Sequence, residues 1–468
     1  MLELKKLIDS RQGENYTLHE RYINPAFAKV LKIIGFDRVY TKGKGSYLWD
    51  REGNRYLDFI CGYGVFNLGR NHPRIHAVLK EYLDLDYPNL VKMDGPLVAG
   101  LLAEALVKRM PKGLDTVFFG NSGAEGIETT LKFSRAATGR FNTLFTEHAF
   151  HGLTYGSLSV NGDEHFREGF GPLLPGCDKI AFNDLEALDR ALSTKKYGGF
   201  VVEPIQGKGI FVPADGYLKE AQRLCRKHGT VFIVDEVQMG MGRTGKFLCL
   251  EHWGLEPDMV VLSKSLSGGQ VPVSAVIGRR DIFTKVFSRL DRCVVHSTTF
   301  GQNAMAMVAG LAALDVLEEE KLIENAAKMG DLLMRELKAR IGRFELLKDV
   351  RGKGLMIGVE FGEPKSLGLK VAWKLLHKAD GGLFTQAIIM PLLEKHHVLT
   401  QVAGHNQDTI KLSPPLCITE EDITYFMRAF DAVVAECHKF PGPVWDVGSA
   451  LARHAMSRGQ KSGDTFAS

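Results

Sequence analysis

From near residue 95 onward, short apolar runs alternate with helix-like stretches, and this alternation constrains the fold more than any other feature. The runs are Thr116–Phe119, Thr143–Phe145, Phe200–Val202, Val231–Val234, Met259–Leu262 and Val273–Ile277. As a set they are rich in Val, Ile and Phe, and Gly, Pro, Asp or Asn flank most of them. Helical segments lie between most of the runs. The segment 124–137 is closed by Gly139 and the segment 216–228 by Gly229, both suited to a left-handed C-cap. Unbroken apolar strands separated by helices predict an α/β fold with a mainly parallel sheet covered on both faces.

The flanks have a different rhythm. The first 90 or so residues are expected to mix short strands with turns, with a hairpin over 43–59 that turns at 50–54. After about residue 335, helical material at 325–341 leads to a strand at Leu355–Phe361. A helix-rich insertion at 367–396 follows, then a strand near 410–413, a Pro-Pro turn at 414–415 and a helix at 419–438. A length of 468 residues suits two or three domains. The expected division is a large domain at 86–335 and a small α/β domain built from both ends, 1–85 and 336–468. The polar, small-residue tail at 457–468 is expected to be poorly ordered.

Composition removes several function classes. Charged residues make up 24% and hydrophobic residues 45%, which excludes global disorder. A formal net charge of +4 argues against a dedicated nucleic-acid binder. No apolar run reaches the ~18 residues of a membrane span, and the N-terminal sequence has no signal-type apolar region. The seven cysteines are scattered with no CxxC pair, which reads as reduced thiols in a cytoplasmic protein with no zinc or other metal site.

The chemistry-bearing residues fall at strand ends. Val231–Val234 runs into Asp235-Glu236-Val237-Gln238, and Met259–Leu262 runs into Ser263-Lys264. In open parallel sheets, ligands bind outside the carboxyl ends of strands. The turn Gly120-Asn121-Ser122-Gly123-Ala124-Glu125 opens a helix and offers backbone N–H groups to an anion. Phe150-His151-Gly152 follows another strand and offers a ring to stack on a planar group. Taken singly, each has an ordinary reading: a solvated lysine, a helix cap, a packed aromatic. Together they supply an anion cradle, a ring platform, a carboxylate and a lysine. That set suits pyridoxal 5'-phosphate (PLP), which needs its phosphate held, its ring sandwiched, its pyridine nitrogen kept protonated and a lysine for a Schiff base.

The sequence resembles the class III PLP-dependent aminotransferases, which include ornithine, acetylornithine, putrescine and other ω-amine enzymes. The resemblance covers roughly residues 20–440 and rests on motifs in family order. These are Phe59 followed by Gly69-Arg70-Asn71-His72-Pro73, Asn121-Ser122-Gly123-Ala124-Glu125, Phe150-His151-Gly152 and Glu203-Pro204-Ile205-Gln206-Gly207. Asp235-Glu236-Val237-Gln238, Gly240-Met241-Gly242-Arg243-Thr244-Gly245, Ser263-Lys264 and Ser297-Thr298-Thr299-Phe300-Gly301 complete the set. Lys264 follows Asp235 by 29 residues, an interval that also suits the family. The resemblance implies a fold type I PLP-dependent transferase and a ping-pong reaction. Lys264 would form the Schiff base and shuttle the proton, and Asp235 would pair with the pyridine nitrogen. Val237 and Phe150 would cover the two ring faces, with His151 beside Phe150, and Gln238 would bond the phenolic oxygen. Ser122, Gly123 and Ala124 would hold the phosphate, and Glu203 would orient the surroundings. Thr299 would reach the phosphate of a neighbouring subunit, which implies a homodimer with shared sites.

Three positions depart from the family pattern. Leu153 stands where amino-acid enzymes of the family often carry Arg after F-[HW]-G, Lys208 stands in place of the Glu of QGEGG, and Lys411 replaces an Arg before the Pro-Pro turn. Lysine keeps the charge but lacks the planar fork that grips carboxylates. Lys208 and Lys411 are candidates for holding a carboxylate of glutamate or 2-oxoglutarate, with solvent exposure as the alternative. Tyr63 is a candidate at the substrate mouth, or a structural turn residue. The insertion reads either as an amphipathic helix pair on the small domain or as an apolar channel. With Val398-Leu399-Thr400-Gln401 and Lys411-Leu412-Ser413-Pro414-Pro415 it is similar to a subgroup acting on large hydrophobic carbonyls, as in hopanoid biosynthesis. The expectation is therefore an aminotransferase taking the amine from glutamate to an apolar aldehyde or ketone. A putrescine- or ornithine-type transaminase is the alternative. Racemases, mutases and decarboxylases share the anchoring residues. Gly240–Lys246 approaches a nucleotide-binding loop, but Phe247 replaces its hydroxyl residue, which weakens a nucleotide hydrolase reading. A non-catalytic PLP-fold binding protein would have no need of Lys264 and Asp235.

Overall fold

In the computed structural model, which describes residues 1–379, 382–405, 407–439, 442 and 445, seven strands form one central sheet. They are numbered here Thr116–Gly120 (β1), Asn142–Thr146 (β2), Cys177–Ile180 (β3), Tyr197–Val202 (β4), Val231–Asp235 (β5), Met259–Leu262 (β6) and Ser274–Gly278 (β7). Their spatial order is β1-β7-β6-β5-β4-β2-β3. Strands β3, β2, β4, β5 and β6 pair in parallel, while β7 runs antiparallel to both β6 and β1.

Six of the seven strands coincide with the apolar runs. The exception, Cys-Asp-Lys-Ile in β3, is half-exposed at the sheet edge and carries no apolar signal. In β4, β5 and β6 successive side chains enter opposite cores, as the period of a strand requires. Val201, Ile233 and Val261 meet Ile127, Leu131 and Phe133 from the helix Gly123–Thr138. Phe200, Phe232 and Val260 point the other way, toward Leu218 and Ala221 of the helix Tyr217–His228. Each such side chain contributes ~1.5–3 kcal/mol on burial, so both faces must be covered. Gly139 (φ 70°) and Gly229 (φ 67°) end these helices in the left-handed conformation expected of them.

The flanks of the sequence form two further sheets, the first of which joins both of them. Tyr40–Lys44, Tyr47–Asp50 and Arg55–Asp58 form an antiparallel set, and Val398–Leu399 joins it parallel to Arg55–Asp58. Leu57 N–H donates to the His397 carbonyl and Phe59 N–H to that of Leu399, each at 2.8 Å. Leu347–Lys353, Met356–Phe361, Thr409–Leu412 and Gln401–Val402 make the second sheet. The helix Glu420–Cys437 covers it, and Phe426 stacks on Phe59 at 4.4 Å.

Two expectations change. The N-terminal stretch begins not with strands but with three helices, Leu4–Arg11, Asn15–Tyr22 and Pro25–Ile33. Ala28 is their one buried residue, so no core imposed a period that could be read in the sequence. The insertion forms the helices Leu367–Ala379 and Leu383–Glu394; Leu369, Ala372, Trp373, Leu376, Phe384, Ala387, Ile388, Ile389, Leu392 and Leu393 pack inward, while Leu367 and Val371 stay exposed. Phe384 is fully buried, 4.6 Å from the Trp373 ring and 5.6 Å from Phe361. The amphipathic pair is thus the alternative observed, and these side chains line no channel. The expectation about 457–468 lies outside the described residues. No helix among the described residues is long and apolar enough to cross a membrane.

Candidate active site

The sheet places the candidate residues at one set of strand ends. Asp235 is the last residue of β5, Glu203 follows β4, Ser263-Lys264 follows β6, and Gly120 ends β1 before the helix capped by Ser122. The loop carrying Phe150 and His151 follows β2.

Asp235 and His151 form the centre of the cluster. One Asp235 carboxylate oxygen lies 2.7 Å from His151 Nδ1, and the other accepts from Val237 N–H at 2.9 Å. Both residues are buried. Burial opposes the imidazolium, yet the hydrogen bond from Asp235 and the charges of Asp235 and Glu203 outweigh it and raise the His151 pKa. His151 Nε2 is buried without a protein partner.

Glu203 organises the loops around this pair. Its two oxygens accept from Phe150 N–H at 2.9 Å and Gly207 N–H at 2.8 Å. Burial raises its pKa, opposed by the neighbouring His151. Gly152 lets the same loop reach the helix start. Its φ is 125°, and a Cβ there would stand 2.7 Å from both Ala124 Cβ and Ser157 Oγ. At Gly123, a Cβ would come within 3.0 Å of Val237, so Val237 sits directly against the first turn of the helix.

That first turn has the geometry of an anion cradle. Ser122 Oγ accepts from Glu125 N–H at 3.2 Å, and Glu125 Oε2 accepts from Asn121 N–H at 2.7 Å. The N–H groups of Gly123 and Ala124 have no carbonyl one turn earlier within the helix to bond. Ser122 therefore already works as a cap, as the ordinary reading of the turn allowed.

Lys264 lies in the left-handed region at φ 44°. For a residue with a Cβ this costs ~1–2 kcal/mol, and such strain concentrates at functional sites. Burial lowers its pKa, and the charges of Asp235 and Glu203 only partly restore it. Gln238 Nε2 donates to the Tyr63 carbonyl at 2.9 Å. The Tyr63 ring is exposed, and its backbone has φ 61°.

Neither substituted lysine points freely to solvent. Lys411 is 5% exposed and donates to the Gly207 carbonyl at 3.0 Å. Burial, then the charges of Lys264 and Lys208, push its pKa down to about 7. Lys208 Nζ lies 3.8 Å from the centre of the Phe166 ring and 5.2 Å from that of Phe150. Burial lowers its pKa as well. Leu153 is 56% exposed. Thr299 is exposed too, its carbonyl accepting from Lys92, and it joins none of these contacts. Its neighbour Thr298 accepts from Asn121 Nδ2 at 2.8 Å, so this loop lies over the chain's own β1 turn.

Two residues that the motifs contain, but to which the sequence assigned no role, also take part. Gln206 Nε2 donates to Thr146 Oγ1 at 3.1 Å and to the Glu147 carbonyl at 2.6 Å, tying the loops after β2 and β4. Its place directly after Glu203-Pro204-Ile205 was the available signal. Arg243 is fully buried and donates to the carbonyls of Leu355 and Pro414 and to Asn67 Oδ1. The glycines on either side of it, Gly242 and Gly245, have positive φ, and the segment forms turns joining three parts of the chain. It opens no α-helix, only the 3-10 turn Cys249–Trp253, unlike a nucleotide-binding loop.

The family model for aminotransferase class-III matches residues 33–434. The chain belongs to the class III aminotransferases. Among relatives, this aminotransferase is 36% identical over 396 residues to an acetylornithine aminotransferase of Bacillus cereus, covering 84% of this chain and 94% of that one. It is 34% identical over 464 residues to the aminotransferase PigE of a Serratia species; 92% of this chain is covered but only 54% of PigE. The chain thus spans about half the length of that relative. Among solved structures, an ornithine aminotransferase of Toxoplasma gondii superposes with a TM-score of 0.81 at 30% identity, covering 94% of this chain and all of that one. An (S)-enantioselective ω-transaminase of Thermomicrobium roseum gives 0.77 at 26% identity, with 94% of this chain and 100% of that one covered.

The family is PLP-dependent, and the residues present fit that cofactor. The free N–H groups of the helix start suit a phosphate, Gly123 leaves space beside Val237, and Lys264 supplies a half-buried amine of lowered pKa. Asp235 supplies a carboxylate fixed by two donors.

Proposed function

We propose that this class III aminotransferase carries an amino group from glutamate to the carbonyl of an apolar aldehyde or ketone, in two half-reactions at one site. Bound PLP supplies an aldehyde that captures amines and a ring that withdraws electrons from the substrate carbon. Lys264 removes and returns the proton at that carbon. Its lowered pKa favours the free amine that this task needs. Asp235 holds the pyridine nitrogen in its protonated form. Val237 N–H and the His151 ring fix the carboxylate, and the raised pKa of His151 keeps positive charge behind it. Val237 and Phe150 cover the ring faces, Gln238 binds the phenolic oxygen, and Ser122, Gly123 and Ala124 hold the phosphate. Glu203 orients the Phe150 loop and the Gly207 turn. Thr299 completes the phosphate site of a second subunit in a cytoplasmic homodimer. The large domain is 86–335, and 1–85 with 336–468 form the small one.

The observation that carries the chemistry is the buried Asp235–His151 pair, electrostatically coupled to Lys264. Glutamate is favoured by the neighbouring amines of Lys208 and Lys411: burial lowers the pKa of both, and an incoming dicarboxylate would favour their charged forms. Tyr63 borders this pair, 5.8 Å from Lys411 Nζ. Leu153 supports an apolar acceptor. A diamine or ω-amino acid donor is the second reading. It rests on the same Lys411, whose pKa near 7 leaves it largely neutral in mild base and so no barrier to a cation.

The test is the visible absorption of the PLP-bound protein during titration with single amines. Bleaching by glutamate with little response to putrescine is expected. Bleaching by putrescine or ornithine but not glutamate would move the assignment to the second reading.

A further inference from the structure

A cavity of about 340 Å³ opens beside the site and is lined by Leu153, Tyr155, Leu158, His165, Phe166 and Phe170. His165 is the one lining residue with a titratable nitrogen. Three of the apolar walls, Leu153, Tyr155 and Phe170, are left more than half exposed, at 56%, 64% and 56%. Exposed aromatic and aliphatic groups gathered around one hollow mark a ligand or partner surface.

The cavity adjoins the loop that carries Phe150 and His151. Its Phe166 wall meets the Phe150 ring edge-on at 5.5 Å, and Lys208 Nζ lies over both rings. Leu153 follows His151 by two residues, on the loop that Gly152 presses onto Ala124. On the other side, His165 stacks on His405 at 4.2 Å, so the loop after Gln401–Val402 braces the cavity wall. One boundary therefore carries the Phe150 platform and its Lys208 ammonium, while the body of the hollow is hydrocarbon.

We propose that this cavity is the subsite for the hydrocarbon tail of the carbonyl acceptor, with Leu153, Leu158, Phe166 and Phe170 as its specificity-determining residues. The proposal rests on the reading of an apolar acceptor and places that acceptor's tail. The insertion 367–396 does not serve this purpose, because Trp373, Leu376, Phe384, Ile388 and Leu392 are already buried in the core. An unbranched aliphatic aldehyde fits best. Its carbonyl would face the cofactor's amine, with Lys264 moving the proton, and its chain would run past the Phe150 edge into the hollow. The tail needs no polar partner, in keeping with walls that offer almost none.

The experiment measures kcat/KM for a series of straight-chain aldehydes of increasing length, with the PLP-bound enzyme and a fixed amino donor. The wild type and the variants Leu158→Ser and Phe170→Ser are compared. In the wild type, kcat/KM should rise about fourfold per methylene until the cavity is filled. In both variants that slope should flatten, while bleaching of the absorption band by the amino donor alone keeps its wild-type rate. Inhibition by unreactive primary alkanols should show the same lengthwise gain and the same loss. A wild type indifferent to chain length would overturn the apolar-acceptor reading itself. A wild-type slope retained by both variants would leave that reading standing and overturn the placement. The same retained slope with a weakened dimer in sedimentation would assign the patch to a second copy of the chain instead. If Leu158→Ser fails to fold, the exposed Phe170→Ser and a Leu153→Asn variant decide the matter.

Discussion

His151 Nδ1 and an oxygen of the Asp235 carboxylate stand 2.7 Å apart where water does not reach. The imidazole is the only side-chain donor to that carboxylate among the described residues; the second bond comes from the Val237 backbone. Replacing His151 with Phe keeps a ring and removes the bond. A charge-assisted hydrogen bond is worth ~1.5–3 kcal/mol. Turnover should therefore fall about ten- to a hundredfold in steady-state kinetics, with PLP still retained on gel filtration.

Lys264→Ala removes the amine proposed to move the proton. A positioned acid–base group contributes ~10²–10⁴-fold, so loss of multiple turnover by at least that factor is expected. Thermal unfolding should show no loss of stability, because the amine removed is one whose charge is disfavoured where it sits. Retained multiple turnover would end the proposed role.

Lys411 gives a pH dependence of definite sign. Its folded pKa is about 7 against ~10.4 unfolded. Between these values the unfolded chain binds the extra proton, so stability rises with pH from about 7 upward. The penalty for burying its charge is present in full below pH 7. Lys411→Met should raise the denaturation midpoint near neutral pH and abolish this rise. The same titration should raise KM for glutamate above pH 7 in the wild type, while KM for a diamine stays flat or falls.

Gly152→Ala tests the close approach that sets the Phe150–His151 loop. A methyl 2.7 Å from Ala124 Cβ, at φ 125°, must displace the loop or the helix start. Overpacking of this kind costs ~1–3 kcal/mol. A lower melting temperature and weaker PLP affinity by equilibrium dialysis are expected together.

Arg243→Met should unfold more easily in denaturant by roughly 1–3 kcal/mol, the cost of leaving buried acceptors unsatisfied. It strands Asn67 Oδ1 and the carbonyls of Leu355 and Pro414 without donors.

Much of this was legible in sequence because the central sheet is buried on both faces. Strands such as Met259–Leu262 must then be apolar throughout, and their ends are marked by Asp235 and Lys264. Where burial is one-sided or absent the signal fades. Cys177–Ile180 lies at the sheet edge, and Leu4–Arg11 buries nothing, so neither had to declare itself. The polarity of β7 was hidden as well, since direction leaves no imprint on an apolar run. The hydrogen bond from His151 to Asp235 joins residues 84 apart, and the motif around each is complete without the other. The apolar hollow eluded reading for the same reason. Leu153 and Phe170 become neighbours only once the chain between them has folded back.

The pairing of Val398–Leu399 with Arg55–Asp58 has a consequence for how the chain is made. The first strands leave the ribosome some 340 residues before their partner exists. At ~5–20 residues per second, that is a wait of roughly 20–70 s. Throughout that interval the edge of Arg55–Asp58 is an open template for any other extended chain. The central sheet can assemble meanwhile, so synthesis of the last quarter of the protein sets the time at which the nascent chain stops being vulnerable to aggregation.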